Sequence, residues 1–182
     1  MSDLKKLKLN ELGRVKEQEY SGLDKLPVIV VLYNLRSSHN VGSVFRTTDG
    51  FTFSKVITTG VSPTPPNKDI TKTALGAERT VDHEHFSDEA ILEEITRLKE
   101  EGYTVLGIEQ TNQSIDLRDL NQHNFEKIVY ILGNEVKGVK LELLQLCDHC
   151  VEIPMTGSKH SFNVSVCNGI IGWEVRKQMV SL

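Results

Sequence analysis

From Pro27 to Tyr33 the chain reads PVIVVLY, a β-branched run between a proline and an asparagine. A run of that length with no polar alternation predicts a strand covered on both faces. A polar turn, Asn34–Asn40, follows, and Val41, Val44, Phe45 and Thr48 then recur at helical spacing. Ser54–Thr59 reads as the next strand, ended by Gly60 and the Pro63–Pro66 loop. Ala74–Thr80 suggests a short helix and Val81–Phe86 an extended segment. Ser87 is placed to cap a helix whose stripe is Ile91, Leu92, Ile95 and Leu98, with Asp88 and Glu89 suiting its positive end and Gly102 closing it. Tyr103–Ile108 and Lys127–Leu132 are further apolar strands, and Leu141, Leu144 and Leu146 belong to a helix leading into Val151–Ile153. Strands alternating with helices predict an α/β fold: a mainly parallel sheet with helices on both faces.

The last helix, Asn163–Met179, carries more apolar residues than one stripe needs: Val164, Val166, Cys167, Ile170, Ile171, Trp173 and Val175. The pattern predicts two buried faces. One meets the core, and the other favours a second subunit, with Gly169 and Gly172 permitting close approach, although a large monomer core would also absorb it.

At 182 residues the chain suits one domain with a sizeable core, and no linker or repeat divides it. Residues 1–26 read as a charged arm and residues 27–182 as the folded domain. The net charge of −4 argues against non-specific coating of nucleic acid. Its distribution is uneven, because Lys5, Lys6, Lys8, Arg14 and Lys16 crowd the arm. These residues suit phosphate contacts or simply a solvated tail. No apolar run approaches the roughly 20 residues of a membrane span, and the N-terminus has no secretory pattern, so a cytoplasmic, membrane-free protein is expected.

Cys147-Asp-His-Cys150 invites a metal or redox reading. Reactive CxxC thiols gain acidity at a helix N-terminus, whereas these follow a helix, where the dipole disfavours thiolate. Zinc needs a second ligand pair, for which His83 and His85 are the only fitting type. Structural thiols and no metal are the expectation. Neither GxGxxG after a strand, nor GxxxxGK[ST], nor GxSxG is present.

Three strand-end loops carry similar polar chemistry: Asn40 with Arg46, Gly133-Asn134-Glu135, and Ser161 with Asn163. Each has a plain structural use, as a helix cap or a solvated charge. In a parallel sheet, however, such loops share one edge, where α/β proteins bind ligands. Together they would ring a cleft with amides, a carboxylate, a hydroxyl and a guanidinium. A small-molecule enzyme of Rossmann type would be laid out in the same way.

The stretches Asn40-Val-Gly-Ser-Val-Phe-Arg46-Thr-Thr-Asp-Gly-Phe51, Ile131-Leu-Gly-Asn-Glu135-Val-Lys-Gly138 and Ile153-Pro-Met-Thr-Gly-Ser-Lys-His-Ser161-Phe-Asn163-Val-Ser-Val resemble the three motifs of the SpoU/TrmH family of RNA 2′-O-ribose methyltransferases, in the SPOUT class. The likeness runs from about Pro27 to Trp173. It implies S-adenosyl-L-methionine as methyl donor, a C-terminal trefoil knot that holds it, a homodimer, and an RNA substrate, with tRNA ahead of rRNA. By position, Arg46, Asn40, Glu135, Ser161 and Asn163 resemble the catalytic set. Leu132, Gly133, Ile153, Met155, Ser161 and Phe162 match cofactor contacts, with Thr59 and Gly60 expected to line the same pocket. Phe162 stands where an aliphatic residue is common. A non-catalytic RNA-binding dimer of the same fold is the rival reading.

Overall fold

The first long strand, β1 (Leu26–Tyr33), shows why its sequence tolerates no polar alternation. Val28, Val30 and Leu32 belong to one apolar cluster and Ile29, Val31 and Tyr33 to another, so the strand feeds a core on each side of the sheet. The computed structural model describes residues 4–15, 17–20 and 22–180. Lys16 of the basic arm lies outside them.

β1 pairs with β2 (Phe53–Thr59) on one side and β6 (Ile128–Leu132) on the other. With β3 (Asp82–Phe86), β4 (Thr104–Ile108), β5 (Ile115–Asp116) and β7 (His149–Glu152) they form a seven-stranded sheet in the order β3-β2-β1-β6-β4-β7-β5. Every pairing is parallel. All strand C-termini therefore open onto one edge, and the loops after β1, β4, β6 and β7 meet there.

Helices cover both faces, as expected. Residues of α2 (Ser38–Gly50), α3 (Lys68–Ala74), α4 (Ala77–Thr80) and α7 (Val164–Met179) join the cluster of Val28, Val30 and Leu32. Those of α5 (Ala90–Glu100) and α6 (Leu141–Leu144) join the opposite one. In α2 the buried positions are Val41, Gly42, Val44, Phe45 and Thr48. In α5 Ile91, Ile95 and Leu98 are buried, and the Ser87 hydroxyl accepts the Ala90 N–H at 3.1 Å, giving the cap its sequence position suggests. α7 is pinned by a wholly buried bond: Tyr130 Oη donates to Asn168 Oδ1 at 2.8 Å.

Several local expectations are revised. The helix expected over Ala74–Thr80 is two helices, because Leu75 and Gly76 both take positive φ and break it. α3 starts earlier, where Asn67 Oδ1 accepts the N–H groups of Asp69 and Ile70. β5 and the 3₁₀ turn Leu117–Gln122 have too few residues to show a period. The last part of the arm is not free: α1 (Glu17–Tyr20) buries Tyr20, whose hydroxyl donates to the Asp49 carbonyl at 3.1 Å, and Glu17 pairs with Arg79. Of α7, only one face is covered within the chain, by Val164, Asn168, Ile171, Gly172 and Val175. Gly172 meets Phe51 of its own chain and Gly169 faces open space. No helix among the described residues is long and apolar enough to cross a membrane.

Gly42 sets the approach of α2 to α3, since an added methyl would overlap Thr73 Oγ1 and the Ile70 carbonyl oxygen. Gly42→Ala is therefore expected to lower stability by about 1–3 kcal/mol, the usual range for overpacking. Gly50→Ala, on the same helix but facing nothing within 4 Å, should be neutral or stabilising by up to about 1 kcal/mol. Urea denaturation of the two variants beside the wild type tests the contrast.

Candidate active site

A cleft of about 510 Å³ opens at the C-terminal edge of the sheet, between the loops that follow β4, β6 and β7 and the start of α7. Its apolar wall includes Ile108, Leu132, Ile153, Met155, Phe162 and Val164, and its polar wall includes Glu109, Glu135, Ser161 and Asn163. The lining is divided evenly between polar and apolar surface, so it offers both burial and convergent polar groups to a small molecule.

The β6 loop owes its shape to glycine and asparagine. Asn134 N–H donates to the Gly138 carbonyl at 3.1 Å and Gly138 N–H returns to the Asn134 carbonyl at 2.9 Å, closing a tight turn. A methyl on Gly133 would run into the Gly138 and Val139 backbone, and Gly138 holds φ +66, so both positions need the missing side chain. The turn brings Glu135 to the start of α2. There its carboxylate accepts the Arg36 N–H at 3.1 Å and the Asn40 Nδ2 at 3.3 Å.

From Glu135 the polar contacts run on across the edge. Asn163 Nδ2 donates to Asn40 Oδ1 at 3.3 Å, while Asn163 Oδ1 accepts the N–H and hydroxyl of Ser165 at 2.9 and 2.6 Å, capping α7. One relay, Glu135 to Asn40 to Asn163, thus joins residues that stand 95 and 123 positions apart in sequence. Partial burial works to raise the Glu135 pKa, but the backbone N–H groups and the Asn40 amide outweigh it and hold the carboxyl below its ordinary value. It is therefore an anion at neutral pH that orients Asn40.

Of the residues expected here, Leu132, Gly133, Glu135, Ile153, Met155, Ser161, Phe162 and Asn163 all line the cleft. Asn40 reaches it through the relay. Thr59 and Gly60, also expected to line the cofactor pocket, are not among the residues that line this cleft. β2 is separated from β6 by β1, the Thr59 hydroxyl accepts the Asn34 N–H at 3.2 Å, and Gly60 sits against Asn34 and Asp88. Arg46 is also outside the lining of its own chain. It is exposed on α2, six residues beyond Asn40, which is about 9 Å along the helix axis.

Sequence reasoning missed Glu109 and Cys167. Glu109 Oε2 accepts the Val139 N–H and Oε1 the Gln110 N–H, each at 3.0 Å, tying the β4 loop to the β6 loop. Its one sequence signal is an acid directly after an apolar strand. Cys167 lies on α7 at the cleft floor, where burial pushes its thiol up to about 11. Burial likewise drives Cys147 up to about 12, in keeping with a structural thiol. His83 and His85, on β3, stand five strands from β7 and Cys150, about 24 Å away, so the two pairs form no common zinc site. Among the described residues no group of three His, Cys, Asp or Glu is placed to hold a metal ion.

Because the folded-state pKa of Glu135 is depressed, its contribution to stability is present above the ordinary glutamate value, about 4.3, and disappears as pH falls through the lower folded value. The gap in urea midpoint between wild type and Glu135→Gln should be flat from about pH 7 to 5 and shrink below about pH 4. A gap that stays constant into strong acid would show that the loss comes from packing rather than charge.

The mouse (Mus musculus) protein TARBP1, named a tRNA (guanosine(18)-2′-O)-methyltransferase, is 33% identical over 154 residues, 84% of this chain and 10% of that protein. RlmB of Neisseria meningitidis serogroup B, named a 23S rRNA (guanosine-2′-O-)-methyltransferase, is 30% identical over 165 residues, 90% of this chain and 64% of that protein. The chain spans less than two thirds of the length of either relative. An AdoMet-bound rRNA methyltransferase from Sinorhizobium meliloti shares the fold, with a TM-score of 0.76 at 21% identity over 88% of this chain and 60% of that one. The sequence model of the SpoU rRNA Methylase family matches residues 27–173, the stretch that builds the sheet, the relay and the cleft, and the chain belongs to that family.

Proposed function

We propose that this chain is an S-adenosyl-L-methionine-dependent RNA 2′-O-ribose methyltransferase. The observation that carries the reading is the relay Glu135–Asn40–Asn163, which brings all three motif loops together beside a cleft of suitable size. The cleft fits the cofactor by its chemistry: apolar walls at Leu132, Ile153, Met155 and Phe162, with a carboxylate at Glu109 for polar groups. When bound, S-adenosyl-L-methionine supplies a methyl group on a sulfonium. The trefoil knot implied by the motifs belongs to this reading. It is supported by the contact of the β7–α7 loop with the β4 loop, where Gln110 Nε2 donates to the His160 carbonyl at 3.1 Å.

The chain's own residues have to position a ribose hydroxyl and stabilise the charge that develops as its proton leaves. Asn40 and Asn163 orient groups at the edge, Glu135 fixes Asn40, and Ser161 adds a hydroxyl to the cleft. Arg46 is the electrostatic group: a guanidinium stays charged at neutral pH, so it lowers the hydroxyl pKa rather than taking the proton itself. TARBP1 is named for tRNA and RlmB for rRNA, and tRNA is the substrate class this reading takes first.

A homodimer completes the unit. Val166 and Trp173 are 50% and 56% exposed and form, with the half-buried Ile170, an uncovered apolar stripe on α7. Trp173 packs at a tilt against Phe51 at the end of α2, with ring centroids 6.4 Å apart. Arg46 lies on that same helix, so a second copy seated on the α7 stripe stands next to the guanidinium that its own cleft lacks.

Transfer of labelled methyl from S-adenosyl-L-methionine to tRNA, with rRNA in parallel, tests the activity. Loss of signal from both would leave only the RNA-binding rival. Arg46→Lys should retain cofactor affinity and assembly while single-turnover methylation falls at least about 10²-fold, since a point charge lacks the fixed fork of donors.

Trp173→Glu should sediment as a monomer, deprived of burial worth about 1.5–3 kcal/mol for each large apolar side chain on the stripe. It should still bind the cofactor but no longer transfer methyl. A monomeric wild type at micromolar concentration defeats the assembly argument.

A further inference from the structure

Lysine and arginine side chains divide sharply by partner. From Lys25 onward, most hold an acidic or backbone acceptor: Lys25, Lys55, Lys72, Arg79, Arg97, Lys99, Arg118, Lys140 and Lys177 are ion-paired, while Lys127 and Arg176 donate to backbone carbonyls. Arg36, Arg46, Lys68, Lys137 and Lys159 are exposed or half-buried, and their side chains have no hydrogen-bonding or ionic partner among the described residues. All of them follow the C-terminal ends of strands. Arg36 and Arg46 come after β1, Lys68 after β2, Lys137 after β6 and Lys159 after β7.

Nearby carboxylates form no ion pair with them, because their oxygens are turned to other donors; those of Glu135, Glu109 and Asp88 keep their charge. Glu135 accepts the Arg36 N–H and the Asn40 amide, Glu109 accepts two backbone N–H groups, Asp88 accepts the Asn34 amide, and Asp69 pairs with Lys72. Two of the free cations also stand on loops that are tied together. Asn134 donates to the Asn34 carbonyl at 2.6 Å and accepts the Lys137 N–H at 2.9 Å, while Arg36 N–H is bonded to Glu135, so the β1 and β6 loops hold the backbones of Arg36 and Lys137 near one another.

In a chain of net charge −4, cations that hold no ion pair can meet phosphate oxygens without first breaking one. We infer that Lys68, Arg36, Lys137 and Lys159 form a phosphate track along the C-terminal edge of the sheet, on which the RNA backbone lies as it passes the cleft. From β2 to β7 the track crosses four strand spacings, about 19 Å, enough for a few consecutive phosphates. It differs from the catalytic assignment of Arg46 in that these residues hold the strand and do not touch the reacting ribose. The inference rests on the RNA reading above and names the residues that would bind that substrate.

The test is RNA affinity across a salt series, using an unmodified tRNA transcript and fluorescence anisotropy. Removing one phosphate-binding cation should reduce the slope of log affinity against log salt by about 0.7–0.9. The paired variants Arg36→Gln/Lys137→Gln and Lys68→Gln/Lys159→Gln should each lower it by about 1.5, and together by about 3. S-adenosyl-L-methionine affinity by calorimetry should stay unchanged, which also reports that the variants fold. Lys55→Gln and Lys99→Gln, whose cations are ion-paired away from this edge, should leave the slope alone. An unchanged slope in the fourfold variant, or an equal fall in the Lys55 and Lys99 controls, overturns the track. RNA that binds with the expected slopes but takes no methyl would sink the catalytic reading and leave the track standing.

Discussion

The amide of Asn134 is the constraint on which the functional edge depends. Its Nδ2 donates to the Asn34 carbonyl at 2.6 Å, and its Oδ1 accepts the N–H groups of Val136 and Lys137 at 2.9 Å. Asn34 adopts φ +54, a conformation asparagine tolerates better than most residues, and uses its own side chain to accept from Val61 N–H and donate to Asp88. Two asparagines thereby satisfy the backbone of three strand-end loops at a place where no ladder remains to do so. The same ties hold the β6 loop against the end of β1, where Glu135 reaches Asn40.

The electrostatics follow from the same arrangement. Carboxylates at the edge are engaged by backbone and amide donors, which keeps Glu135 ionised without an ion pair and leaves the neighbouring guanidinium and ammonium groups free. A rim of unpaired cations and a cleft with both apolar and polar walls thus sit side by side. Neither needs the other's charges to be neutralised. The uncovered stripe of α7 is the third element: Val166 and Trp173 stay exposed, with Trp173 against Phe51 at the end of α2.

Much of the architecture was legible from residue order. Uninterrupted β-branched runs marked β1 and β6, a stripe with a serine before it marked α5, and an excess of apolar positions on α7 marked a face that the single chain does not cover. Three motifs spaced along the chain pointed to the family, and residues of the second and third line the cleft. Short elements escaped. Two residues of β5 have no period, and the break at Leu75–Gly76 depends on backbone angles that an isolated leucine does not announce.

What the sequence determined by itself was the set of elements, their two-sided burial and the chemical types at each strand end, because these depend on local spacing and on hydrophobicity. Tertiary structure alone decided which of those ends meet. Strand order placed β1 between β2 and β6, so that the end of β2 with Thr59 stands two strands from the β6 loop that walls the cleft. It inserted β4 between β6 and β7, and so brought in Glu109, which no motif had singled out. It also left Arg46 outside the lining of its own cleft, because six residues of helix carry it away from Asn40. Adjacency in a parallel sheet is set by how crossovers pack on its two faces, and that is a property of the whole chain that no stretch of it encodes alone.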